Sequence, residues 1–159
     1  MEVKFTDNSD EVLALLKAAA ERAMERCGLQ AEGYAKDLCP VDTGLLRNSI
    51  TFAVAGEAPQ IKTYRADKGD KKGSYSGTAP QSPEHAVYIG TNVEHASYVE
   101  CGTGAKNTPG GRPGSWGYID AEGKAHHTNG QRAQPYLKPA VANHKQTYIN
   151  IIKDEMENG

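Results

Sequence analysis

The chain has 159 residues, with 18 Lys and Arg against 20 Asp and Glu and a formal net charge of -2. A single domain with one core is expected at that length, burying on the order of two-thirds of the unfolded surface. The charge balance excludes any global attraction to nucleic acid or membrane and confines such contacts to local patches.

A mean hydropathy of -0.64 with 17 Gly and only two Phe points to a modest core with much loop, or to surfaces completed by other subunits. Cys27, Cys39 and Cys101 are an odd number without framework spacing, so no disulfide is expected and a reducing cytosol fits best. The first residues hold no apolar segment for secretion, and no window approaches the roughly 18 apolar residues of a membrane helix. A soluble intracellular product without membrane contact is expected.

Asn8 and Ser9 can cap a helix whose first turn holds Asp10 and Glu11, both favourable at the positive end of the helix dipole. Val12, Leu16, Ala19, Ala23, Cys27, Ala31, Tyr34 and Leu38 follow at three- and four-residue steps, which predicts a helix over 10–38. Continuous, it would measure about 43 Å, and Gly28 or Gly33 is a place to kink. Part of so long a stripe is free to pack on a neighbouring subunit.

Pro40-Val41-Asp42-Thr43-Gly44 is turn chemistry, and Ile50, Phe52 and Val54 alternate with Thr51 and Ala53 as a half-buried strand does, so the turn reads as an elbow between helix and sheet. Asp-Thr-Gly is also the motif with which each half of a retroviral-type aspartic protease dimer supplies one of two carboxylates. The long helix predicted before Asp42 does not fit such an all-β enzyme.

A sheet region is expected over 45–101, interrupted by a flexible loop over 60–83. Within that loop Lys62, Arg65, Lys68, Lys71 and Lys72 outnumber Asp67 and Asp70, a local basic stretch that could touch phosphates. His85 to Thr91 reads as a second strand, and Ala96 to Cys101 as helix or strand. Gly102-Thr103-Gly104 lacks the third glycine of a dinucleotide fingerprint and the Lys of a phosphate loop. Residues 102–133 read as a Gly-rich, mobile excursion followed by a hairpin, Trp116 to Thr128, that projects as an arm. His85, His95, Cys101, His126 and His127 show no metal-ligand spacing and specify no catalytic triad. A helix over 136–156, with Pro139 near its start and Val141, Tyr148, Ile152 and Met156 on one stripe, closes the chain.

Taken in order, Pro40 to Arg47 with Ser49-Ile50, Tyr88 to Thr91, His95 to Gly104, the Trp116 to Thr128 hairpin and Gln134 to Ala140 resemble the tail-component family of long-tailed bacteriophages, small neck or tail-completion proteins of the head-tail junction. Cys101 stands where that family usually has a large apolar residue, and Tyr136 where Phe is common. The resemblance implies an α+β fold, a small antiparallel sheet packed by the N- and C-terminal helices. It implies a structural virion protein, assembled in the host cytoplasm, that forms a homo-oligomeric ring between other neck or connector proteins and the tail tube, with DNA passing through the lumen. It implies no enzyme, cofactor or metal. Pro40, Asp42, Thr43, Gly44, Arg47, Glu100, Gly102, Thr103, Gly104, Pro135, Tyr136 and Pro139 are then structural motif residues, and Arg47 is expected to pair with Glu100 or Asp42. The competing readings are the Asp42 protease, whose activity would vanish in Asp42→Asn, and a nucleic-acid-binding module using the basic stretch over 62–72.

Overall fold

The computed structural model describes residues 7–58, 60–77, 79–80, 85–106, 108–119 and 123–158. Helix α1 runs unbroken from Ser9 to Leu38, through both Gly28 and Gly33. Its start is held by Asp7, whose carboxylate accepts the Ser9 backbone N–H at 3.0 Å, while Asn8 makes no capping bond. Ala19, Ala23, Cys27, Ala31 and Ala35 are its buried residues beside Gly28. Small side chains at every fourth position form one shallow stripe, which lets neighbouring elements come close.

Helix α5, Lys145–Asn158, lies antiparallel against α1. At one end Tyr34 stacks on His144 with ring centroids 3.5 Å apart, and at the other Arg22 and Arg26 meet Glu155 and Asp154 at 2.7–3.0 Å. The C-terminal region is two helices rather than the expected one, because α4, Leu137–Ala142, ends where Asn143 donates its N–H to the Pro139 carbonyl, and His144 turns in to meet Tyr34.

Between these helices the described residues build three two-stranded antiparallel ladders where one small antiparallel sheet was expected. Strand β1, Thr51–Val54, pairs with β4, Val87–Gly90, with Thr51 opposite Gly90. Strands β2, Gln60–Arg65, and β3, Lys72–Gly77, form a hairpin within the stretch expected as loop. Its inner face is built by Tyr64, which lies across Gly73 where a Cβ would meet the ring and donates its hydroxyl to Asn92 at 2.7 Å. Residues 78 and 81–83 of that expected loop fall outside the described residues. The third ladder, β5 over Trp116–Ile119 with β6 over Ala125–Thr128, is the hairpin anticipated there.

Two short helices complete the fold, α2 over Leu45–Ser49 and α3 over Ala96–Cys101. The elbow after Pro40 therefore leads first into a helical turn and only then into β1. The core gathers Ala35 and Cys39 at the end of α1, Leu46 and Ile50 from α2, Ala96 from α3, and Tyr136 and Ala140 from α4. A second contact seats the Phe52 ring directly on Gly28, at whose position a Cβ would lie 2.1 Å from the ring.

Candidate functional site

The residues singled out by sequence gather at three stitched turns around this core. At the first, Gly44 takes a left-handed backbone (φ 81°), and the Asp67 carboxylate occupies the space a Cβ would need. The Thr43 carbonyl accepts the Asp67 and Lys68 N–H groups at 2.8 and 3.2 Å. Asp67 in turn accepts Arg47 Nη2 at 2.7 Å and Asn48 Nδ2 at 2.8 Å, and Asn48 also reaches the Arg65 carbonyl at 2.9 Å. The elbow is thus fastened to the β2–β3 turn by Asp67. This replaces the expected pairing of Arg47 with Glu100 or Asp42.

Glu100 has a different task. Its carboxylate accepts the Tyr136, Leu137 and Lys138 N–H groups at 2.7, 2.9 and 2.9 Å. These are three of the four orphan donors at the start of α4, and the fourth position is Pro139, which has no N–H to satisfy. Pro135 precedes this start, and Gln134 anchors it by donating its N–H to the Val99 carbonyl at 2.8 Å. Tyr136 is fully buried, yet its hydroxyl has no hydrogen-bond partner among the described residues.

At the third turn, Gly102-Thr103-Gly104 crosses Asn129-Gly130-Gln131 at backbone contact. Thr103 N–H donates to the Gln131 carbonyl at 2.9 Å, the Thr103 hydroxyl accepts the Gln131 N–H at 3.0 Å, and Ala105 N–H reaches the Asn129 carbonyl at 3.0 Å. A Cβ on Gly104 would fall 2.0 Å from the Asn129 oxygen, and one on Gly130 1.9 Å from the Thr103 oxygen. Gly104 N–H also donates to the Arg112 carbonyl at 2.7 Å, so the Gly-rich excursion is tied down at its base.

Between the first and third turns lies a cleft of about 400 Å³ that includes Val41, Asp42, Arg47, Lys71, His95 and Val99 in its lining. Asp42 is its one carboxylate, set among three basic side chains, so within one chain the cleft offers no paired carboxylates for acid–base work. Its Asp-Thr-Gly turn joins two helices, where the protease motif belongs between strands. Among the described residues, no three His, Cys, Asp or Glu side chains gather as a metal site needs. Cys27, Cys39 and Cys101 are free thiols, and burial pushes that of Cys39 up to about 11. No helix among the described residues is long and apolar enough to cross a membrane.

Of the five basic side chains over 62–72, only that of Lys62 makes an ion pair or ring contact among the described residues, lying 4.6 Å from the Phe52 ring centroid and 3.6 Å from Glu32. Sequence reasoning missed Asp67, Asn48 and Gly130. Asp67 carried the one available signal, its place in a Lys/Asp/Gly-rich turn, and nothing local links it to Gly44.

The sequence profile of the family described as "Bacteriophage HK97-gp10, putative tail-component" matches residues 4–102, which takes in α1, the elbow, the first two ladders and α3. No curated protein and no solved structure matches the chain. With more than half of its length inside that profile, the chain belongs to the HK97 gp10-like family of bacteriophage tail components.

Proposed function

We propose that this protein is one subunit of a neck or tail-completion ring that joins the phage head to its tail, built from copies of itself and flanked by connector and tail-tube proteins. Its role there is structural, and no catalytic step is assigned to Asp42. Pro40, Asp42, Thr43, Gly44, Arg47, Glu100, Gly102, Thr103, Gly104, Pro135, Tyr136 and Pro139 shape the subunit that assembles.

The observation that carries this reading is the start of α1. Every residue from Ser9 to Lys17 is exposed, and Val12, Leu13, Leu15 and Leu16 are 49–64 % exposed on two and a half turns that no other described residue covers. Contiguous apolar surface of this kind marks an interaction site, and a helix end gains most of its stability from packing rather than propensity. In a head-to-tail ring each subunit presents one surface to a different surface of the next, so an uncovered helix end on one side of a subunit is the expected arrangement.

Light scattering on the purified 17.1 kDa chain across a concentration series tests the reading. A ring-sized mass, or a monomer that shifts to one when tail-tube protein is added, agrees with it. A stable dimer that forms nothing larger in either condition overturns the ring.

A further inference from the structure

We infer that the outer face and tip of the β2–β3 hairpin form a surface that binds the phosphate backbone of duplex DNA. Arg65 stands directly opposite Lys72 in the ladder, so the two side chains share one face. That face is the outward one, because Ile61, Thr63 and Arg65 are exposed while Lys62 and Tyr64 turn inward. Lys68 and Lys71 extend the positive charge around the tip, where Ala66 N–H closes the turn on the Lys71 carbonyl at 2.8 Å.

None of these four cations has an ion-pair partner among the described residues. The acid best placed to neutralise them, Asp67, is committed to Arg47 and Asn48, which leaves Asp70 at the tip and Asp42 across the cleft from Lys71 against four positive groups. Like charges directly opposite in a ladder are destabilising, and here the fold holds such a pair in solvent without a counter-charge of its own. Arg65, Lys68, Lys71 and Lys72 lie within eight residues, and the rest of the outward face supplies the hydroxyls of Thr63, Ser74 and Ser76 as neutral donors, with the exposed Ile61 at the far end of the ladder. Cations with interspersed hydroxyls are the groups that contact DNA phosphates. An acidic protein partner would need an apolar or aromatic anchor amid the charge, and the cationic end of this face has none. The inference does not depend on the ring.

The test is fluorescence anisotropy with a mixed-sequence 30-base-pair duplex, from 50 to 200 mM KCl. Four phosphate contacts predict a wild-type affinity that falls on the order of a hundredfold over that range. Replacing Arg65, Lys68, Lys71 and Lys72 together by Gln removes most of the binding and flattens the logarithmic salt slope by about 3 to 4. Lys145→Gln with Lys153→Gln, on exposed positions of α5, binds as wild type does. The double variant Arg65→Gln with Lys72→Gln guards against a folding artefact, since removing the cross-strand repulsion leaves its melting temperature at or above that of the wild type while its salt slope falls by about 2. Absence of wild-type binding, a quadruple variant that binds as well as wild type, or displacement of DNA by polyglutamate at equal charge concentration would each overturn the inference, the last in favour of an acidic protein partner.

Discussion

Tyr136 is the residue at which the chemistry of this subunit is least economical. Its ring fills the middle of the core with no exposure at all, and its hydroxyl lies there without a partner among the described residues. A buried polar group left unpaired costs about 1–3 kcal/mol, so Tyr136→Phe is expected to stabilise the protein by about 1 kcal/mol, read as a higher urea midpoint at constant slope. The same environment governs the response to alkali. Burial raises the Cys39 thiol from 9.0 to about 11 and moves the Tyr136 phenol upward as well. Between pH 9 and 11 the unfolded thiol has lost its proton while the folded one keeps it, so the native state binds more protons and stability falls as pH rises. Below pH 9 that contribution is fully present. Cys39→Ala should flatten the decline in urea midpoint between pH 9 and 11 without abolishing it, because burial also raises Cys27.

At the scale of elements, α1 sets the geometry through its glycines, and the two act in opposite directions. Gly28 is a notch for Phe52, so Gly28→Ala must push the ring away, at a cost of about 1–3 kcal/mol from overpacking. Gly33 faces open space, and Gly33→Ala should gain about 0.5–1 kcal/mol from helix propensity. Thermal melts of the two variants moving the same way would refute this account of the helix. Helix α4 depends on a carboxylate 36 residues earlier in the chain. Glu100→Ala leaves three N–H groups without their acceptor and should lower stability by about 2–3 kcal/mol, with Glu100→Gln near half of that, measured by urea unfolding. These elements also show which information is local. The helix over 10–38, the glycine elbow and the 116–128 hairpin were legible because caps, periodicity and turn chemistry act over a few residues. The β2–β3 hairpin was not, since Lys, Ser and Gly dilute its alternation and its inner face rests on Tyr64 covering Gly73. The roles of Glu100 and Asp67 were illegible for a related reason: each acts on a backbone segment that only the folded topology brings near.

For the whole molecule, two surfaces stand open among the described residues, and their physics differs. The start of α1 is apolar, so the association proposed for it follows burial of Val12, Leu13, Leu15 and Leu16 and holds or strengthens as salt rises. The tip of the β2–β3 hairpin is cationic, so its hold on a polyanion weakens with salt through counterion release. Salt therefore separates the two. Raising KCl from 50 to 500 mM should leave the light-scattering mass of the protein unchanged or larger while abolishing its DNA binding. The variant Leu13→Ser with Leu16→Ser supplies the complementary cut, because both side chains are about half exposed and touch little of their own subunit. It should melt within a few degrees of wild type and remain monomeric at concentrations where wild type assembles. Binding of DNA by that monomer, at reduced apparent affinity because fewer hairpins act together, would show that the hairpin works within a single subunit. An assembled mass that instead dissolves at 500 mM KCl would mean that ion pairs, and not the leucines of α1, hold the copies together.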